Sequence, residues 1–443
     1  MGHHLQGIPR SPRVHPPYAL QTGDEGVSLF GNLLKLKDAR SDPDQKWLRG
    51  LVRYGEMATA RVGSKTIVFL NSKRVVGVVS HGHSRSLLMT QEKWAEPRRI
   101  MHTLLSGTAV KQYGEWLETE SAQMLAEYLL KPALWYRHHY RYANSVVHRI
   151  ALGERLAKST KDLEDLQSLV TVFVTTTGSS VVDWFPALAR LPRWLQPWQA
   201  HWEKLDRWNY DVYRSWWALV LEQIRRGTAP PSFARDTLLH GDTKYTGSDD
   251  DAMYVAMQLI EAGSDTTREA LHIMIMAALE HPAVFARELL RWRPIFVITP
   301  DHVASQDIEF EGYRFPEVTG FVINAVVVGD ECDSPETFGP DRWMDGHETD
   351  IAHGLWQFRG GRRICVGYRL AQRSMFINIA RLVQCFDFKP NGPYNSRILS
   401  LEATDEPFPV KVSVRSQAYA ELICAEAERL GVLEDAKISR DEL

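Results

Sequence analysis

From residue 92 to about 280, apolar side chains recur at spacings of three and four, most clearly over 123–130 and 254–279. That period predicts a long succession of helices. Ahead of it, two short runs rich in β-branched residues, 57–62 and 66–70, flank Gly63-Ser64 and predict a hairpin. A helix is predicted over 44–54, closed by Gly55. β character returns at 308–315, divided by the turn Glu311-Gly312, and again at 321–328. Pro230-Pro231 and the polar run 241–251 predict loops. A Gly- and Arg-rich loop at 359–367 opens a last long helix, from Tyr368 to about Phe386. The expected fold class is mainly α with small β-sheets. It comprises one large domain over 31–416, a polar arm over 1–30 and a helical or frayed tail over 417–443.

Composition narrows the function classes. With 44% hydrophobic and 24% charged residues in 443, the chain has enough apolar material to fold, so general disorder is excluded. Lys+Arg number 52 and Asp+Glu 55, a net charge of −3, which leaves no basic excess for nucleic acid. The four cysteines, Cys332, Cys365, Cys385 and Cys424, form neither a disulfide framework nor a CxxC zinc pair. His347-Glu348 is followed by His353, too far for a zinc-binding HExxH, and His81, His83, His138 and His139 read as surface or satisfied residues. The N-terminus lacks a signal-peptide core, and Gln6 stands where myristoylation wants Ser or Thr. No uninterrupted apolar stretch reaches the 18 residues of a spanning helix. The last four residues, Arg440 to Leu443, resemble an ER-retention signal but are read as a charged tail.

The most informative stretch is Phe358-Arg359-Gly360-Gly361-Arg362-Arg363-Ile364-Cys365-Val366-Gly367. A cysteine just ahead of a helix meets the partial positive charge and unpaired N–H groups that stabilise a thiolate. The glycines allow the tight turn that brings backbone N–H groups toward the sulfur. A second constellation, Ala262-Gly263-Ser264-Asp265-Thr266-Thr267, lies inside the helical run, where glycine is costly. Gly263 would let a flat ligand and dioxygen approach the backbone, while Asp265 and Thr266 offer an adjacent acid and hydroxyl for moving protons.

The first stretch resembles the FxxGxRxCxG haem-binding loop of the cytochrome P-450 family, carried by Phe358, Gly361, Arg363, Cys365 and Gly367. The second resembles that family's oxygen-activation motif. Glu288-Leu289-Leu290-Arg291, with Pro294 behind it, resembles the ExxR helix, and Pro340-Asp341-Arg342-Trp343 the segment whose arginine completes a structural Glu-Arg-Arg network. Trp94 and Arg98 resemble a WxxxR element that reaches a haem propionate, and His302 sits where a family His or Arg often does the same.

The resemblance implies a cytochrome P-450 fold binding haem b, with Cys365 as the axial iron ligand, Arg363 on a propionate and Phe358 beside the thiolate. It further implies a monooxygenase that uses O2 on an apolar small molecule, possibly in secondary metabolism, with electrons from a separate NADPH-cytochrome P-450 reductase. The expected location is the cytoplasmic side of the endoplasmic reticulum, otherwise the cytoplasm. Seven tryptophans fall between 183 and 217, and the first part of this segment, 184–198, suits a peripheral membrane contact. Two alternatives stay open: a haem–thiolate isomerase or dehydratase, and a truncated, inactive helical scaffold. The intervals 80–86 and 267–288 are shorter than the family's, so elements are expected to be missing there, either in a true variant or through skipped exons. Arg359 takes a position where the family often has glycine.

Overall fold

The hairpin at the start of the chain nucleates a mixed sheet. A computed structural model describes residues 23–437, apart from 25, 28–29, 40–41, 81–83, 87–90, 158–160, 177–179, 242–243, 281–285, 348–349, 351–352 and 396–407. Strand β1 is Gly23–Asp24, β2 Met57–Val62, β3 Lys65–Leu70, β4 Ser84–Ser86, β5 His302–Ala304, β6 Ile308–Phe310, β7 Tyr313–Phe315, β8 Gly320–Ile323, β9 Phe386–Pro390 and β10 Val410–Val414. The helices that matter below are α1 (Gly114–Leu130), α2 (Trp135–Leu152), α3 (Asp249–Glu280), α4 (Ala286–Trp292), α5 (Tyr368–Cys385) and α6 (Gln417–Arg429). The fold is mainly helical with small sheets. Contacts group the chain into two compact units interleaved along the sequence.

The first unit takes residues 1–94, 180–191 and 287–365. Its six-stranded sheet runs β1-β2-β3-β8-β5-β4. Antiparallel β2 and β3 turn at Gly63, whose φ of +60° a side chain would resist. Side chains alternate between the sheet's faces. Ala58, Ala60, Val62, Ile67 and Phe69 join Leu48 and Leu51 on one core, while Met57, Val68 and Leu70 join Val75, Phe315 and Phe321 on the other.

The strand expected over 321–328 stops at Ile323, and Ala325–Asp330 is helical. The apolar run there is buried throughout, and such a run fits strand or helix equally. What divides it is Asn324, whose buried side chain donates to Leu48 O (2.9 Å) and Asn71 Oδ1 (3.0 Å). The helix predicted over 44–54 is Lys46–Gly50 continued by a tighter turn, Leu51–Tyr54.

The second unit takes 95–179, 192–286 and 366–443. Helix α3 packs along α2, and α2 against α1. A buried aromatic layer of Tyr128, Trp135, His139, His272, Phe386 and Phe408 fills the space beside them, with ring centroids 5.1–5.8 Å apart. Residues 417–437 form α6 and a short helix, Leu433–Lys437, both packed on α1 through buried Ile423, Ala427 and Ala436. An ion pair, Arg155 to Asp435 at 3.1 Å, secures the last turn. The shortened intervals fall partly outside the described residues, at 81–83 and 281–285.

Candidate haem–thiolate site

The cysteine loop is built by backbone closure. A short turn, Trp356–Phe358, leads to Gly361, whose φ of +63° reverses the chain, and the Cys365 N–H donates to Phe358 O at 2.9 Å. Gly367 directly precedes α5. Cys365 is exposed, whereas Cys385 is buried among apolar neighbours, the usual place of a structural cysteine.

Three basic side chains belong to the same loop region. Strand β5 carries His302 at the pairing position opposite Phe321. Its Nε2 lies 3.0 Å from Arg359 Nη1, and Arg359 also donates to Pro300 O at 2.9 Å. A guanidinium can only donate, so Nε2 accepts and the ring proton sits on Nδ1. Burial pushes His302 down to about 4, and the nearby Arg359 and Arg363 push the same way. Burial lowers Arg359 to about 10, against the opposing pull of Asp301 and Cys365. Arg359 holds φ +63° and ψ −159°, a region that only glycine visits freely, at a cost on the order of 1–3 kcal/mol. An accessible thiol with Arg359, Arg363 and a neutral histidine donor around it is a donor set for a metal carrying carboxylates. The residues present fit haem. A haem centre needs one protein ligand, and among the described residues no group of three or more His, Cys, Asp or Glu is placed to hold a bare metal ion.

Glu288 on α4 is encircled. Its carboxylate accepts from Arg291 Nε (2.8 Å) and Nη2 (2.7 Å), Arg342 Nε (3.3 Å), Trp343 Nε1 (2.8 Å) and the Gly339 N–H (2.8 Å). Arg291 in turn donates to Pro335 O and Arg342 to Asp333 O, both at 2.9 Å, so the structure brings Glu288, Arg291 and Arg342 together around one loop.

In the second unit, Gly263, Asp265 and Thr266 all lie within the unbroken helix α3. A Cβ on Gly263 would come within 2.5 Å of Val147 Cγ1, so the close crossing of α3 on α2 uses the missing side chain. Thr266 Oγ1 donates back to Ala262 O at 2.8 Å. Asp265 is buried and accepts from Arg268 Nη2; burial raises its pKa while the guanidinium opposes the rise. Arg98 is half-buried on the helix Gln91–Leu104, and the side chain of Trp94 lies outside the described residues. In the segment 184–198, Trp194 is 80% exposed, with Leu191 and Leu195 also exposed, whereas Trp184 packs at Gly63.

His138 and His139, expected on the surface or satisfied, are buried and satisfied, bonded to Lys131 O (2.9 Å) and Tyr128 Oη (2.6 Å). Sequence reasoning missed the other buried polar side chains of this unit. Arg268, Glu269 and His272 follow Asp265 at spacings of three, four and seven, a helical signal that was there to be read.

The family model for Cytochrome P450 matches residues 78–287 and 285–402, its two segments meeting inside the interval expected to be short. The monooxygenase verL of Clonostachys rogersoniana is 27% identical, covering 93% of this chain and 91% of its own. The monooxygenase fogE of Aspergillus ruber is 26% identical, covering 87% and 82%. Among solved structures, a retinoic acid-bound cyanobacterial CYP120A1 superposes with a TM-score of 0.65 at 18% identity, over 90% of this chain and all of that one. A zebrafish cytochrome P-450 with abiraterone gives 0.62 at 18%, over 84% and 99%. The chain belongs to the cytochrome P-450 family.

Proposed function

We propose that this chain is a haem–thiolate monooxygenase that places one oxygen atom from O2 into an apolar small molecule. The observation that carries this reading is the exposed Cys365 in its closed loop beside Arg359, Arg363 and His302. Haem b, when bound, supplies the reduction of dioxygen and the oxygen transfer. Cys365 is its thiolate ligand, with Phe358 packed alongside and Gly361 and Gly367 shaping the turn. Arg363, His302, Trp94 and Arg98 hold the propionates. Gly263 lets α3 cross closely on α2, and Asp265 and Thr266 hold and pass protons. Glu288, Arg291 and Arg342 brace the loop and take no part in the chemistry.

Electrons come from a separate NADPH-cytochrome P-450 reductase. The substrate belongs to secondary metabolism, a reading that the similarity to fungal monooxygenases supports. Among the described residues no helix is long and apolar enough to cross a membrane. Peripheral contact with the cytoplasmic face of the endoplasmic reticulum runs through the exposed apolar residues Leu191, Trp194 and Leu195.

The test is reconstitution with hemin, reduction and addition of carbon monoxide. The thiolate-type absorption band appears in the parent and is lost in Cys365→Ala. A band that survives Cys365→Ala overturns the ligand assignment. Substrate-dependent NADPH consumption with reductase separates an oxygenase from an isomerase.

A further inference from the structure

One helical turn beyond Asp265 stands a second carboxylate, Glu269, that the proposed function leaves unused. Asp265 is 9% exposed, Arg268 2% and Glu269 1%. A single nitrogen, Arg268 Nη2, lies 2.5 Å from Asp265 Oδ1 and 2.7 Å from Glu269 Oε1. It makes its hydrogen bond to Asp265, and Glu269 Oε1, although close, has no hydrogen bond. Two carboxylates therefore compete for one donor.

Among the described residues that face the group there is no second cation. Facing the group from its own helix is His272, 3.9 Å from Glu269 Oε1, and from α2 come Tyr140, under the Arg268 guanidinium at 5.6 Å, and His139. Burial pushes His272 down to about 3 and His139 well below the usual histidine range, so both are neutral at pH 7. Fully ionised, the trio would leave one negative charge buried, at a cost of several kcal/mol. One proton cancels it. Burial, and Asp265 with it, pushes Glu269 up to about 8 against the pull of Arg268.

We propose that Asp265 and Glu269 share one proton across Arg268, and that Glu269 is the positioning residue that returns a proton to Asp265 after Asp265 has given its own away. This rests on the reading of Asp265 as the proton-passing acid. In the step, the Glu269 O–H bond breaks as an Asp265 O–H bond forms. Arg268 stays charged throughout and shifts its hydrogen bond from Asp265 to the new Glu269 carboxylate. No oxidant or further reactant is needed. A pair of this kind titrates as a unit, because like charges so close resist ionising together.

Infrared spectroscopy of the haem-loaded protein reads the pair directly. A carboxylic-acid carbonyl band is expected at pH 7, fading as the pH rises through about 8 and absent from Glu269→Gln. With reductase and substrate, Glu269→Gln should raise peroxide leakage on the order of tenfold and flatten its pH profile, and Glu269→Asp should restore coupling. A carbonyl band that does not titrate, or that persists in Glu269→Gln, overturns the shared proton. An unchanged leak in Glu269→Gln overturns the positioning role. Should Glu269→Gln fail to fold, the titration of the parent band decides. The infrared readout also survives failure of the oxygenase reading, since it needs no turnover.

Discussion

Two carboxylate–arginine pairs in this protein share the same helical spacing and differ in almost everything else. Glu288 and Arg291 on α4 stand three residues apart, as do Asp265 and Arg268 on α3, and both pairs are buried. Among the described residues, Glu288 gathers five donors, two of them belonging to a second arginine and a tryptophan. Asp265 shares its guanidinium with Glu269. Spacing alone does not separate these cases; the supply of donors does. One carboxylate has a donor for each of its lone pairs, and the other, which must divide a donor, keeps a proton within reach.

The comparison can be broken first at its stronger end. Glu288→Gln leaves Arg291 and Arg342 without their buried anion and should cost about 3–5 kcal/mol, read as a drop in the urea midpoint. A loss below about 1 kcal/mol would mean the encirclement is decorative.

His302 supplies the next test. Its folded pKa, about 4, lies below its ordinary 6.5, so between these values the unfolded chain binds the extra proton. Stability should therefore rise with pH from about 4 to 6.5 and be fully present above that window. His302→Asn should flatten the rise in urea titrations across it.

Arg359→Gly removes the backbone strain and should stabilise the haem-free protein by about 1–3 kcal/mol in thermal melts. The same change should speed transfer of haem to excess apomyoglobin, because His302, a propionate partner, loses the guanidinium bonded to it. A slower transfer would remove Arg359 from the cofactor's surroundings. The smallest effect sharpens the contrast with Glu288. At pH 7 the amide of Glu269→Gln imitates a protonated carboxyl, so its stability cost should stay under about 1.5 kcal/mol. A loss as large as that of Glu288→Gln would show an ionised Glu269.

Much of the first unit was legible because its signals are local. Gly63 between two β-branched runs marks the hairpin, and in the second unit the helix behind the cysteine loop starts at Tyr368 and ends at Cys385, one residue short of the predicted Phe386. The cysteine loop was readable for the same reason, ten consecutive residues carrying the whole pattern. The strand predicted through Val328 failed because Asn324 is turned inward by Leu48 and Asn71, partners that are distant in sequence. Sequence left His138 and His139 as surface or satisfied, and the structure shows the second, with partners on another helix or at its end. Glu269 was overlooked although its spacing was visible, since burial, which gives the spacing its meaning, depends on α2 packing over it.

Arg359 has a consequence for how such a gene drifts. Glycine and arginine codons can differ by a single base, so every large population samples a version of this loop that folds more cheaply. A lineage that retains the arginine is maintaining a conformation against steady mutational relaxation, and the guanidinium bonds to His302 and Pro300 are what that persistence preserves.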